Sequence, residues 1–177
     1  MEIRQDEGVV ILGKRGSGKT YLIKKLISKF SSYHFVLIDV VGNMAEMKGM
    51  ANCEYNLVNP HRSEQINRIC VDAMRRGNCM VVADESDRIN YCEGFSDLIN
   101  LGRNYGVGFI SSARRTANIS KDILANQTHS FIFRHAYPRD VNVLDEWLQL
   151  DTQELRTLPQ YTSMYFCNDE RIGLFRA

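Results

Sequence analysis

The stretch GVVILGKRGSGKT, Gly8 to Thr20, decides how the chain folds. Val9-Val10-Ile11-Leu12 is a continuous apolar run of the kind that forms a buried parallel strand. The turn after it has the form GxxxxGK(S/T), with Gly13, Gly18, Lys19 and Thr20 at the fixed places. Glycine there lets the backbone curl with its N–H groups pointing inward, so the turn is built to hold phosphate. Lys19 can reach the outer phosphates, and the Thr20 hydroxyl can take a place on Mg²⁺. The expected cradle is Gly13, Lys14, Arg15, Gly16, Ser17, Gly18, Lys19, Thr20 and Tyr21, and its default ligand is a nucleoside triphosphate. Beyond it, Tyr21, Leu22, Ile23, Leu26, Ile27 and Phe30 fall at helical spacing while Lys24, Lys25 and Lys29 take the other face. Strand, loop and helix therefore follow in the order the motif requires.

A second constellation is CMVVADESD, Cys79 to Asp87. Cys79 to Ala83 reads as an apolar strand with Asp84-Glu85 at its C-terminal end, where open parallel sheets bind ligands. In nucleotide hydrolases an Asp here completes the Mg²⁺ shell and a following Glu polarises the attacking water. Asp84 is the expected metal residue and Glu85 the expected catalytic base. A small-molecule kinase must keep such a water out, so the adjacent Glu favours hydrolysis.

The bulk properties bound the rest. At 177 residues the chain suits one well-buried domain, 1–177. With 22 basic and 21 acidic residues the net charge is +1, so any contact with nucleic acid must come from local patches. Cys53, Cys70, Cys79, Cys92 and Cys167 are odd in number and include no CxxC pair, which predicts reduced, mostly buried thiols. The opening MEIRQDEG lacks the apolar segment of a signal peptide, and nowhere do eighteen apolar residues run together, so no membrane span is expected. His34, His61, His129 and His135 show no metal-ligand spacing.

Apolar strand candidates alternate with helical stretches, the pattern of an α/β fold with a mainly parallel sheet. The strands are expected at Val9–Leu12, Phe35–Asp39, Tyr55–Val58, Cys79–Asp84, Val107–Ser112 and Phe131–Arg134. Helices are expected at Lys19–Phe30, Ser63–Arg76, Gly94–Asn104, Ser120–Gln127 and Pro138–Leu150, the last with Trp147 on its apolar face. Tyr161–Cys167 and Arg171–Phe175 flank Asn168-Asp169-Glu170 as a C-terminal hairpin.

The segment from Asn100 to Asp140 resembles the HerA/FtsK superfamily of DNA-pumping ATPases. The resemblance is carried by Gly102-Arg103-Asn104-Tyr105-Gly106, the strand Val107 to Ser112, Arg114, Ile123-Leu124-Ala125-Asn126-Gln127, and Phe131-Ile132-Phe133-Arg134. Asp39-Val40-Val41-Gly42 is similar to the D-x-x-G that ends the family's second strand. The resemblance implies a P-loop NTPase of the RecA-like (ASCE) kind, a three-layer sandwich with a mainly parallel central sheet, here with a C-terminal hairpin. It implies ATP and Mg²⁺ as cofactors, and a homo-oligomeric ring, a hexamer in this family, with an arginine supplied to each site by the neighbouring subunit. Arg103 is the first candidate for that finger, with Arg114 and Arg134 behind it. Family members carry Gln after the fifth strand, in a T/S-Q-R-P sequence that senses the γ-phosphate. Here the stretch reads Ser112-Ala113-Arg114-Arg115, and Ala113 cannot make that hydrogen bond.

A bare motor core of this size resembles the genome-packaging ATPases of membrane-containing viruses, which pump double-stranded DNA into a capsid. The implied partners are DNA, contacted without sequence specificity, and a capsid or membrane protein; the implied location is the host cytoplasm or the virion. Lys48 and Arg75-Arg76-Gly77 are candidates for tracking DNA phosphates. Two other classes stay open: a small-molecule P-loop kinase, and an ATP-gated assembly protein with little turnover.

Overall fold

The computed structural model describes residues 2–177. Six parallel strands make the body of the sheet: β1 (Gly8–Leu12), β2 (Phe35–Asp39), β3 (Cys53–Leu57), β4 (Cys79–Asp84), β5 (Val107–Ala113) and β6 (His129–Phe133). The hairpin strands β7 (Thr162–Cys167) and β8 (Glu170–Arg176) extend it antiparallel. The order across the sheet is β3-β2-β4-β5-β1-β6-β7-β8, so β5 separates the loop strand β1 from the acidic strand β4. This is the expected RecA-like P-loop architecture. In register, Leu12 lies beside Ala113 and Ile132, and Asp39 beside Asp84, so the ends of these strands form one shelf.

Strands β1, β2, β4, β5 and β6 are buried along their whole length, which is why they read as continuous apolar runs. Helix α1 (Lys19–Lys29) covers one face, with Leu22, Ile23, Leu26 and Ile27 packed on Val9, Ile11, Leu37 and Phe131. The other face is covered by α2 (Ser63–Arg76), α3 (Glu93–Leu101), α4 (Lys121–Ala125), α5 (Pro138–Leu148) and α6 (Thr152–Thr157). Ile66, Leu98, Ile123, Leu144 and Leu155 carry that layer, and Trp147 packs against it half-buried.

The differences from expectation are local. Helix α3 stops at Leu101 because Gly102–Tyr105 tightens into a 3₁₀ turn. Strand β3 runs Cys53–Leu57, slightly earlier than expected, and lies on the sheet edge with mixed exposure. Helix α6 was not expected at all. Its signal is the capping spacing Asp151-x-x-Glu154, and the Asp151 carboxylate accepts from Gln153 N at 2.8 Å. The five cysteines are free, three of them buried. Among the described residues no helix is long and apolar enough to cross a membrane.

Candidate active site

The loop from Gly13 to Thr20 joins β1 to α1 on the shelf. Its conformation needs glycine at Gly18, where φ is 116° and an added Cβ would stand 2.9 Å from the Tyr161 ring. The loop is tied down from both sides. Gly13 N donates to Ala113 O at 3.2 Å, and Lys14 N to Arg134 O at 3.1 Å. Lys19 is buried, and its ammonium donates to the carbonyls of Gly13 at 2.8 Å and Lys14 at 3.2 Å. Burial lowers its pKa, while attraction to Asp84, Glu85 and Asp87 works the other way.

Asp84 is buried at the end of β4, and the Thr20 hydroxyl donates to its Oδ2 at 3.0 Å. Ser112 donates to the other oxygen, Oδ1. Burial raises the Asp84 pKa, and the Ser112 and Thr20 hydrogen bonds oppose the rise. Glu85 follows in the left-handed region, φ 55° and ψ 46°, a strained conformation for a residue with a side chain. Its N–H donates to Ser112 Oγ at 3.1 Å. Ser112 thus positions both acids and Ser111 is taken up with Ser86 at 2.7 Å, which leaves the reach into the cleft at the end of β5 to the next side chain.

That reach comes from Arg114. Its guanidinium lies 3.4 Å from Glu85 Oε2, and its Nε is buried without a hydrogen-bond partner. Arg88, on the 3₁₀ turn Ser86–Arg88, approaches the same Glu85 oxygen at 3.2 Å. Arg88 was invisible to motif reading, because nothing in Ser86-Asp87-Arg88 marks the turn that folds it back. The residues enclose a cleft of about 440 Å³ lined by Lys19, Thr20, Tyr21, Asp84, Glu85, Arg88, Arg114 and Tyr161 among others. Its volume suits a drug-sized or nucleotide-sized ligand.

The donor set fits the expected cofactors. Thr20 and Asp84 bring a hydroxyl and a carboxylate together, two hard oxygens of the kind that hold Mg²⁺ with phosphates and waters completing the shell. Among the described residues no group of three or more His, Cys, Asp or Glu side chains could hold a metal. A glycine-rich loop with buried Lys19, and a buried Ser17 hydroxyl lacking a partner among the described residues, fits a polyphosphate.

Arg103 is not brought to this cleft. It sits in the turn before β5, exposed, 3.7 Å from Asp6, at the opposite end of the strands. The seven residues of β5 put it roughly 20 Å from the loop. Arg134 is exposed just beyond β6, beside the loop. Arg75 and Arg76 also lie at that end of the strands, where Arg76 is paired with Glu54 at 2.7 Å and Arg75 lies 3.8 Å from Asp72. Lys48 is exposed with no ion pair among the described residues.

No family model matches the sequence, and no curated protein matches it either. Solved structures do match the fold. The genome packaging NTPase B204 from Sulfolobus turreted icosahedral virus 2, in complex with ATP-gammaS, superposes with a TM-score of 0.74 at 14% identity, over 94% of this chain and 95% of that one. EssC (ATPases 2 and 3) from Geobacillus thermodenitrificans gives 0.72 at 12% identity, over 97% of this chain and 40% of that one. VirB4 of Thermoanaerobacter pseudethanolicus gives 0.70 at 8% identity, over 96% and 89%. The chain therefore has the fold of P-loop ATPases of this kind.

Proposed function

We propose that this chain is a Mg²⁺-dependent ATPase that drives double-stranded DNA through a homo-oligomeric ring, in the manner of a viral genome-packaging motor. The observation that carries the reading is the Thr20 hydroxyl held on the buried Asp84 carboxylate at the end of the glycine loop, with Glu85 beside it. Lys19 and the loop amides grip the phosphates, and Thr20 and Asp84 hold Mg²⁺, which neutralises charge on them. Glu85 orients and deprotonates the attacking water once it is free of its arginine partners. Similarity to the fold of a packaging NTPase over nearly the whole of both chains supports the packaging role. Exposed Arg134 and Arg139, neither with an ion pair among the described residues, and Lys48 offer contacts to DNA phosphates without reading sequence. The motor works in the host cytoplasm or on the virion, docked to a capsid or membrane protein.

A second reading, an ATP-gated assembly protein with little turnover, is favoured by one observation: both Arg88 and Arg114 hold Glu85. An ATPase assay with and without linear duplex DNA, run beside light scattering, separates the two. The motor reading expects an oligomer, hydrolysis stimulated by duplex DNA, and a Glu85→Gln protein that binds MgATP with turnover reduced at least about 10²-fold. Hydrolysis from a strict monomer indifferent to DNA sinks the motor. Negligible turnover in wild type and variant alike leaves the assembly protein.

A further inference from the structure

The cleft has a direction. Its acids stand on β4, two strands to one side of the loop strand β1, and Tyr161 enters β7, two strands to the other side. A triphosphate with its outer end at Lys19, Asp84 and Glu85 therefore points its nucleoside end at Tyr161.

Tyr161 is held there against its own backbone preference. Its φ is 62°, in the left-handed region, where a residue with a side chain persists only if its surroundings impose it. Three contacts do so. Tyr161 N donates to Ser17 O at 3.1 Å, Ala177 N donates to Tyr161 O at 2.8 Å, and the neighbouring Gln160 amide donates to Gly16 O at 3.2 Å. The ring is laid over Gly18 and meets Tyr21 edge to face, with centroids 6.3 Å apart and planes at 63°. Yet both residues stay exposed, Tyr161 at 45% and Tyr21 at 57%. Two aromatic rings fixed at a cleft mouth and left uncovered present π-faces to a flat ligand.

We infer that Tyr161 and Tyr21 form a stacking platform for the nucleobase, which takes the base by its face and does not read its edge. The inference rests on the triphosphate reading above and adds a substrate class to it: purine nucleoside triphosphates with little choice between adenine and guanine. Stacking tolerates any base, because every base has a π-face, and larger rings stack better. The Gln160 amide nitrogen, the nearest edge-reading donor on this segment, is engaged by Gly16 O.

Titration calorimetry of the full chain with MgATP, MgGTP, MgUTP and magnesium tripolyphosphate tests this. Wild type is expected to bind ATP and GTP within about threefold of each other, and UTP more weakly. Tyr161→Ala is expected to weaken ATP and GTP about tenfold, ~1.4 kcal/mol, while tripolyphosphate stays within about twofold. Tyr161→Phe keeps wild-type affinities, since it keeps the face. Tyr21→Ala, on the solvent side of α1, is expected to weaken ATP about threefold without touching tripolyphosphate. Equal weakening of ATP and tripolyphosphate by Tyr161→Ala overturns the platform, because the ring would then merely shape the loop. Unchanged ATP affinity overturns it as well, and so does a wild-type preference of about a hundredfold for ATP over GTP, which would need edge reading. Wild type that binds neither ATP nor tripolyphosphate overturns the triphosphate reading itself, a result distinct from the others.

Discussion

Asp84 meets opposite demands in one side chain: on the proposed function its charge would hold Mg²⁺, and its place at the buried end of β4 disfavours that charge. Its pKa is raised above the ordinary 3.8, so as pH climbs the unfolded carboxyl loses its proton first and the folded one later. Between those two values the native state holds the extra proton, and each step up in pH erodes stability. Asp84→Asn removes that cost while keeping the side chain's shape. In EDTA, the variant is expected to melt above wild type at neutral pH, with the gap closing as pH falls below the raised pKa, and to show no Mg²⁺-dependent hydrolysis. Melting curves across pH, set beside a phosphate-release assay, check both halves; a variant less stable than wild type at neutral pH contradicts the burial argument. Arg114 makes a different demand. It reaches Glu85 from the position after Ala113, inside the cleft of its own chain, so the proposed motor would use it in cis. A cation that leaves Glu85 for the developing charge on the phosphoryl group contributes in the transition state and little before it. Arg114→Ala should therefore lower kcat by about 10²-fold with KM within about threefold, read by steady-state kinetics. A large rise in KM with kcat intact would make Arg114 a simple binding residue.

At the scale of elements, the loop after β2 shows how much one carboxylate can organise. Asp39 is buried; its Oδ1 accepts from Val41 N, Gly42 N and Asn43 N, and its Oδ2 from Met44 N at 2.8 Å and the Tyr55 hydroxyl at 3.1 Å. These bonds fix Val41 and Asn43 on the rim of the cleft. Asp39→Ala leaves several of those donors unmet and is expected to cost about 3 kcal/mol, a fall in Tm of about 6–12 °C by calorimetry. The D-x-x-G spelling pointed to this turn, and the five strands buried along their length were equally legible, because burial on both faces writes itself as an unbroken apolar run. The acids and the loop were legible for a related reason: both sit at fixed offsets from such a run. What the sequence hid was contact at long separation. Tyr161 reads as the first residue of a hairpin strand, and only the folded chain lays it on Gly18, 143 positions back in sequence. Arg88 and the Ser112 bonds to the two acids were hidden likewise, since a polar residue after a strand looks alike whether it faces solvent or a carboxylate.

At the scale of the whole molecule, two of the three finger candidates, Arg103 and the lower-ranked Arg114, part company. Arg114 lines the cleft of its own chain, whereas Arg103 stands at the other end of the strands, roughly 20 Å away, so in the proposed ring it would serve a triphosphate across a subunit boundary. In a ring where that end of each subunit meets the next one's cleft, the two residues obey different complementation rules. Lys19→Ala destroys a subunit's own cleft but leaves its Arg103; Arg103→Ala does the reverse. Mixed in equal amounts under conditions of subunit exchange, these two inactive proteins should regain about a quarter of wild-type hydrolysis, because that share of boundaries joins an intact cleft to an intact arginine. Lys19→Ala mixed with Arg114→Ala should regain nothing beyond the residual rate of Arg114→Ala, since every cleft then lacks one of two groups that must lie together. DNA-stimulated hydrolysis across a mixing series reads out both. If the Arg103 mixture stays inactive while light scattering shows mixed rings, the trans role passes from Arg103 to another exposed arginine, with Arg134 beside the loop the next to be tested.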